Sequence, residues 1–190
     1  MHPLLRHINN QVPFEAKDFD ELFAHFQLLQ LKKGNQLIGP NEVVRHQYFV
    51  LEGSLRTYLI DSQGKEHTIQ FAVENWWVSD YQSYYKECPS VQHVECLEDC
   101  RLLKISKEYL LGTFDRLPNL ERYFRKQLEN AFVAFQVRIL SSLQLTAEER
   151  YTEFIKAYPN IEQRVKNYQI ASYLGITPES LSRVRKKRKS

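Results

Sequence analysis

Between Asn167 and Lys186 the chain reads NYQIASYLGITPESLSRVRK. Ile170, Ala171 and Leu174 fall on one face of a short helix, Gly175 is the tight bend after it, and Ile176 packs beneath the bend. Thr177 is placed to cap a second helix that has Pro178 at its first position, where a missing N–H costs nothing. Leu181 and Val184 give that helix its inward face. The small Ala171 lets two helices cross closely and Gly permits a left-handed turn, so the spacing predicts a helix-turn-helix with one face of its second helix left free. The free face and the residues after it are basic: RVRKKRKS holds six cations in eight residues. Residues 164–190 carry eight cations against Glu179, +7, while the whole chain carries +3, which leaves −4 for residues 1–163. A basic tail by itself is usually a solvated tail, and an amphipathic helix pair by itself is usually core. Together, at this spacing, they point to the phosphate backbone of DNA.

The 190 residues suit one large domain or two small ones. A 43% hydrophobic and 13% aromatic composition is enough for a core, and 26% charge keeps the fold soluble. No run is long and apolar enough to span a membrane, and MHPLLRHINNQVPF has neither the apolar core nor the cleavage site of a signal peptide. Three cysteines, Cys88, Cys96 and Cys100, do not make a disulfide framework, so the expected compartment is the cytoplasm.

Along the chain, Phe19, Leu22, Phe23 and Phe26 predict a short amphipathic helix within residues 14–27. Residues 28–105 change period. LLQLKKGNQLI, HQYFVLEGSLRTYLI, HTIQFA, HVECL and CRLLKIS are short β-type runs, separated by turn signals such as Glu52-Gly53-Ser54 and Asp61-Ser62-Gln63-Gly64. That pattern predicts an antiparallel barrel or jelly roll. A short helical segment at 107–116 precedes a long helix from about Pro118 to Leu143, whose middle, AFVAFQVRIL, is apolar nearly all round. Such a helix needs two partners, with Leu128, Phe132, Phe135 and Ile139 as candidates for a face against a second copy; the alternative is burial within one chain. Thr146-Ala147-Glu148-Glu149 is a capping box that starts a helix with Tyr151, Phe154, Ile155 and Tyr158 as its core stripe, stopped by Pro159-Asn160.

This order of parts resembles the Crp-Fnr family of bacterial transcription regulators. The residues that carry the resemblance are Tyr48-Phe49-Val50-Leu51-Glu52-Gly53-Ser54, Asp61-Ser62-Gln63-Gly64-Lys65-Glu66 and the IASYLGITPESLSRVRKK block. It implies an α+β chain in three parts. A cyclic-nucleotide-binding-type β-roll sensor (jelly-roll-like, antiparallel) occupies 1–116, a long dimerisation helix 117–145, and a helix-turn-helix DNA-binding domain 146–190. It also implies a homodimer on a pseudo-palindromic site and RNA polymerase as a partner. The sequence stops four residues after Lys186, where family members continue into a β-hairpin wing, so either the wing is short or absent or the sequence is truncated there. By the same resemblance, Glu179 and Arg183 touch bases, and the chemistry fits: a carboxylate accepts from cytosine N4 and a guanidinium is bidentate to guanine. Thr177, Ser180, Ser182 and Lys186 share the outward face; Lys187, Arg188 and Lys189 are expected on phosphates, and Gln169 is expected to reach one through its amide. Pro178 stands where the family often has a base-reading Arg, which predicts a shifted sequence preference.

The family's cyclic-AMP binders hold the cyclic phosphate with an Arg followed by Ser or Thr. Here that Arg position falls at about Ser90, and no Arg or Lys lies between Lys86 and Arg101. An anion in a half-buried pocket needs a cation or a nest of N–H groups, so the expected effector is not cyclic AMP and no cofactor is assigned. An effector pocket would be lined by Trp76, Trp77, Ser79, Asp80, Tyr81, Ser90 and Val91, with Phe135 and Gln136 where the family meets the adenine. The rings read either as the wall of a site for an apolar or aromatic effector or as filling, and Asp80 either as a perturbed acid or as the cap of a helical turn. His93, Cys96 and Cys100 have metal-ligand chemistry but lack the spacing for one face of a strand, so no metal is expected. No Gly-rich phosphate loop, GxSxG or HExxH occurs, so no enzyme is expected. Two readings remain: a regulator whose roll takes a small effector, or a constitutive DNA-binding dimer whose roll is only structural.

Overall fold

The computed structural model describes residues 1–189, with side chains through Arg188. Packing divides the chain into two compact units: residues 1–57 with 71–130, and residues 58–70 with 131 onward.

In the first unit, β1 (Gln27–Leu31), β8 (Cys100–Ser106), β3 (His46–Glu52) and β6 (Trp77–Val78) form one antiparallel sheet in the order β1-β8-β3-β6. A second sheet runs β2 (Gln36–Ile38), β7 (His93–Cys96), β4 (Leu55–Ile60), β5 (Glu66–Ala72). Side-chain alternation assigns the faces. Tyr48, Val50 and Leu102 point between the sheets, where they meet Ile38, Leu55, Val94 and Tyr84. Phe49, Leu103 and Ile105 point the other way, onto a layer of helices. That layer consists of α1 (Pro3–Asn9), α2 (Ala16–Phe23), α4 (Lys107–Phe114) and the first turns of α5 (Pro118–Gln144). The central strands β3 and β8 are therefore buried on both faces over most of their length, which explains their near-continuous apolar runs, while the edge strand β1 is largely exposed.

Two helices appear that the sequence patterns do not predict. The α1 helix starts from His2, whose Nδ1 accepts the Leu4 N–H at 3.2 Å, and buries Leu4 and Ile8, one helical turn apart. The α3 helix (Tyr81–Lys86) is capped by Asp80, whose Oδ1 accepts the N–H groups of Gln82 and Ser83 at 3.0 and 3.2 Å. Capping was one of the two roles open to Asp80.

Gly53 carries the chain from β3 in the first sheet to β4 in the second at φ +97°, and a Cβ there would stand 2.6 Å from the Asp99 carbonyl oxygen and the Cys100 Sγ. The neighbouring ladder carries a bulge between Val50 and Glu52, opposite Leu102 and Arg101.

The second unit contains the end of the β4–β5 hairpin, the second half of α5, α6 (Ala147–Ala157), a 3-10 turn at Ile161–Gln163, α7 (Asn167–Leu174) and α8 (Pro178–Lys189). The capping box at Thr146 forms as expected: the Glu149 N–H donates to Thr146 Oγ1 at 3.3 Å, and the Thr146 N–H donates to the Glu149 carboxylate at 2.8 Å. The α5 helix buries Leu120, Tyr123 and Phe124 in its first turns and is largely exposed from Leu128 onward.

Candidate nucleic-acid interface

The interface is built on α7, the Gly175 turn and α8. Gly175 ends α7 in the left-handed region at φ +67°, and the Ile176 N–H closes the turn on the Ala171 carbonyl at 3.0 Å. Thr177 Oγ1 accepts the Ser180 N–H at 3.2 Å, which starts α8 where the sequence placed it. Ile170, Ala171, Leu174 and Leu181 are buried; Val184 and Ile176 are half-buried. The residues expected in the tail continue α8 as helix to Lys189.

The outward face carries Glu179, Ser182, Arg183 and Lys186, all exposed. Ser180 is half-buried and accepts a hydrogen bond from Arg183 Nη2 at 3.1 Å, which orders that guanidinium over the first turn. Thr177, at the N-terminus of α8, is exposed, and Ser182 Oγ donates to the Pro178 carbonyl at 3.0 Å. The Glu179 carboxyl is held below its usual range, chiefly by its own backbone N–H and then by Thr177 and Arg183. It is thus an acceptor, the state that recognition of a base amino group requires.

Of the four residues expected on phosphates, three have described side chains, and each of these has a contact within the chain. Lys187 Nζ lies 2.6 Å from a Glu148 carboxylate oxygen of α6, in an exposed pair. Solvent screens such an exposed pair and leaves it weak, so a phosphate can displace it. The Arg188 guanidinium stands 5.9 Å from the Tyr151 ring centroid. The Lys189 side chain lies outside the described residues. Gln169 is a correction: it is buried, and its amide oxygen accepts the Lys166 N–H at 3.0 Å, so the side chain supports the start of α7 and does not reach a phosphate.

Sequence reasoning overlooked the cations that hold this domain together. Arg185 reaches three elements at once. Its Nε donates to Tyr151 Oη at 3.1 Å, Nη1 donates to Asn167 Oδ1, and Nη2 pairs with Glu162 at 2.7 Å. Arg138 of α5 donates to the Thr68 carbonyl at 2.9 Å and the Tyr173 carbonyl at 3.2 Å, and lies 4.1 Å from the Tyr173 ring centroid. Ser172 Oγ accepts the Thr68 N–H and donates to the Glu66 carbonyl, both at 2.9 Å, so a hydroxyl of α7 takes the place of a neighbouring strand on β5. No motif announces these roles, since an Arg among cations and a Ser in a helix read as surface.

In the first unit the expected effector residues are engaged in the fold. Trp77 lies on the helix side of its sheet: its indole N–H donates to Tyr123 Oη at 2.7 Å, and its ring packs on Phe49 and Phe124. Asp80 is buried as the α3 cap and also accepts from Gln92 Nε2 at 3.2 Å. Ser79 Oγ donates to the His46 carbonyl at 2.9 Å. Ser90 Oγ is buried and accepts the Gln92 N–H at 3.0 Å. Tyr81 stacks against Tyr85, and burial pushes its phenol up. Trp76 and Val91 are exposed. Phe135 and Gln136 belong to the second unit and are exposed on α5. The buried cation of the roll is Arg56 of β4, 1% exposed, which alternation alone would put on a surface; its guanidinium is 2.7 Å from Glu95. With that charge neutralised, Ser90 closed on its own loop and Asp80 committed to α3, these residues do not fit a cyclic phosphate.

Residues 28–116 match the cyclic nucleotide-binding domain model. The "Fumarate and nitrate reduction regulatory protein" of Vibrio cholerae is 25% identical over 188 residues, covering 91% of this chain and 74% of its own length. The protein of the same name from Salmonella typhi is 26% identical over 165 residues, covering 81% of this chain and 65% of its own length. Among solved structures, CooA from Carboxydothermus hydrogenoformans has a TM-score of 0.76 at 18% identity, over 98% of this chain and 84% of that one. FixK2 from Bradyrhizobium japonicum has 0.75 at 17%, over 85% and 83%. The c-di-GMP-responsive regulator CLP from Xanthomonas campestris has 0.73 at 16%, over 92% of both chains. A two-sheet roll, a long helix with a bare apolar stretch and a basic helix-turn-helix make this chain similar in fold to these proteins, and its roll carries the cyclic nucleotide-binding domain.

Proposed function

We propose that the protein is a homodimeric, sequence-specific DNA-binding regulator of transcription, with 1–116 as the roll, 117–145 as the dimerisation helix and 146–190 as the DNA-binding domain. The observation that carries this reading is the face of α8. A helix seated through Leu181 against a left-handed glycine turn presents Glu179, Ser182, Arg183 and Lys186 outward on one basic element. In a major groove, Arg183 reads guanine and Glu179 reads cytosine, while Lys187 and Arg188 position the helix on phosphates. The exposed Leu128, Phe132, Phe135 and Ile139 of α5 are the face for a second copy. RNA polymerase is the further partner that transcriptional regulation requires. Fluorescence anisotropy on duplexes selected from a random library tests the reading. Arg183→Ala is expected to lower affinity for the selected duplex at least tenfold while leaving random DNA less affected; equal affinity for both would sink the assignment.

For the roll, the packing favours the constitutive alternative. Asp80, Ser90 and Trp77, which would face an effector, are each committed to a cap, a loop or the helix layer. Calorimetric titration with cyclic AMP and cyclic GMP is expected to give no heat, with DNA affinity unchanged. Heat with a tighter DNA complex would show a cyclic phosphate held by backbone N–H groups.

A further inference from the structure

Beyond Val184 the recognition helix has no apolar side chain with which to seat itself. Residues 185–189 read RKKRK, all cations. Leu181 is the buried anchor of α8, and Val184 is only half-buried. A helix pinned near its start, with mutually repelling charges along its last turn and a half, is free to roll about its axis and to fray. Arg185 opposes both. It is half-buried and turned inward, and its guanidinium engages Tyr151 Oη of α6 at 3.1 Å, Glu162 of the 3-10 turn at 2.7 Å and Asn167 at the first position of α7. Tyr151 Oη also donates to Glu162, so the receiving site is itself a closed network. Arg185 and Arg183 are two positions apart, roughly 200° around a helix. Fixing the first inward therefore fixes the second outward.

We infer that Arg185 is a positioning residue for sequence recognition: its three-point engagement of Tyr151, Glu162 and Asn167 sets the rotation of α8 and so the aim of Arg183 and Glu179, and it touches no phosphate. The inference rests on the DNA-binding reading and deepens it. Two cations of the same basic run thereby do different work, and the salt dependence of binding separates them. Removing a cation that neutralises one phosphate takes about 0.9 from the slope of log affinity against log salt, and weakens specific and non-specific complexes alike. A residue that only aims the helix changes the ratio between them.

The test uses the full chain, a duplex selected by the wild type from a random library, and a random duplex of equal length. Arg185→Ala is expected to lower the specific-to-random affinity ratio at least tenfold, with the salt slope on random DNA unchanged. Glu162→Gln removes an anion, which by charge alone would raise affinity for every duplex; it is expected instead to lower the ratio in the same direction as Arg185→Ala. The double variant is expected to be no worse than Arg185→Ala, because both changes break one network. Circular dichroism checks that each variant is folded, and if Arg185→Ala is not, Glu162→Gln carries the test alone. An Arg185→Ala slope reduced by about 0.9 with an unchanged ratio would make Arg185 a phosphate ligand and overturn the inference. So would a ratio unaffected by Glu162→Gln. A wild type that selects no duplex overturns the DNA-binding reading, and this inference with it; the variant outcomes bear on the inference alone.

Discussion

Tyr123 shows how much one side chain settles in the first unit. It is fully buried on α5, its hydroxyl accepts the Trp77 indole N–H at 2.7 Å, and the same oxygen lies 2.8 Å from His7 Nδ1. Helix α1, strand β6 and helix α5 are joined there through one atom. Tyr123→Phe leaves the Trp77 N–H without its acceptor in a dry layer, so unfolding by urea is expected to show a loss of about 2 kcal/mol, with the slope of the transition preserved. His7 carries a pH dependence from the same place. Burial holds its imidazole below the ordinary 6.5, and it faces Phe49 and the Tyr123 hydroxyl, whose own ionisation burial pushes up. The unfolded chain therefore binds a proton at higher pH than the folded one does. The neutral His7 contribution is complete above about pH 6.5 and declines as pH falls through that value towards the folded pKa. His2 and His46 are lowered too, chiefly by burial, and act in the same direction. Denaturation midpoints measured between about pH 7.5 and pH 5.5 are expected to fall, and His7→Gln is expected to flatten that fall. None of this was legible in the sequence, since a His and a Tyr far apart in the chain announce no meeting.

At the scale of elements, two glycines in the left-handed region differ in a measurable way. At Gly175 the φ is +67° and a Cβ would meet nothing within 4 Å, so Gly175→Ala carries only the backbone cost, about 1 kcal/mol. At Gly53 the φ is +97° and a Cβ would strike the Asp99 carbonyl and Cys100 Sγ at 2.6 Å. Gly53→Ala combines the conformational cost with displacement of a packed strand and is expected to lose well over 2 kcal/mol, or to prevent folding. Thermal melts of the two variants check the order; a Gly175→Ala as damaging as Gly53→Ala would contradict it. The element pattern was legible in the sequence where a local signal exists. The Thr146 box, the Thr177 cap, the Gly175 turn and the five β-type runs all lie where their spacing put them. It failed for β6 and α3, a two-residue strand and a six-residue helix that exist because β3 and the roll core give them partners. Pieces that short have no period of their own.

At the level of the whole molecule, the second half of α5 is the face proposed for assembly. Phe132 is 63% and Ile139 59% exposed, with Leu128 and Phe135 beside them along the helix. Apolar stripes of this length facing water commonly mark association surfaces, which is the ground for that proposal. Phe132→Glu with Ile139→Glu is expected to convert the protein to a monomer in sedimentation velocity. The same change is expected to weaken binding to a two-half-site duplex roughly a hundredfold, because the second recognition helix is no longer delivered at high effective concentration. A double variant that still sediments as a dimer would place the interface elsewhere.

Much of this protein's local grammar is legible in the chain alone: which of the longer stretches are strand or helix, where α6 and α8 begin, which helix has more apolar surface than one core can cover, and where positive charge collects. These are properties of neighbours in the chain, written in periods of two and 3.6 and in the chemistry of caps and turns. Which polar side chains are consumed in holding elements together follows from the tertiary fold. Asp80 became a helix cap, Gln169 a support for α7, Ser172 a partner for β5, Arg56 a buried ion pair and Arg185 a three-way tie. A hydroxyl, amide or guanidinium is equally at home in water and in a buried pair, and its partner lies tens of residues away. The residue type fixes what bond it can make, and the fold alone fixes whether the acceptor is protein, water or a ligand.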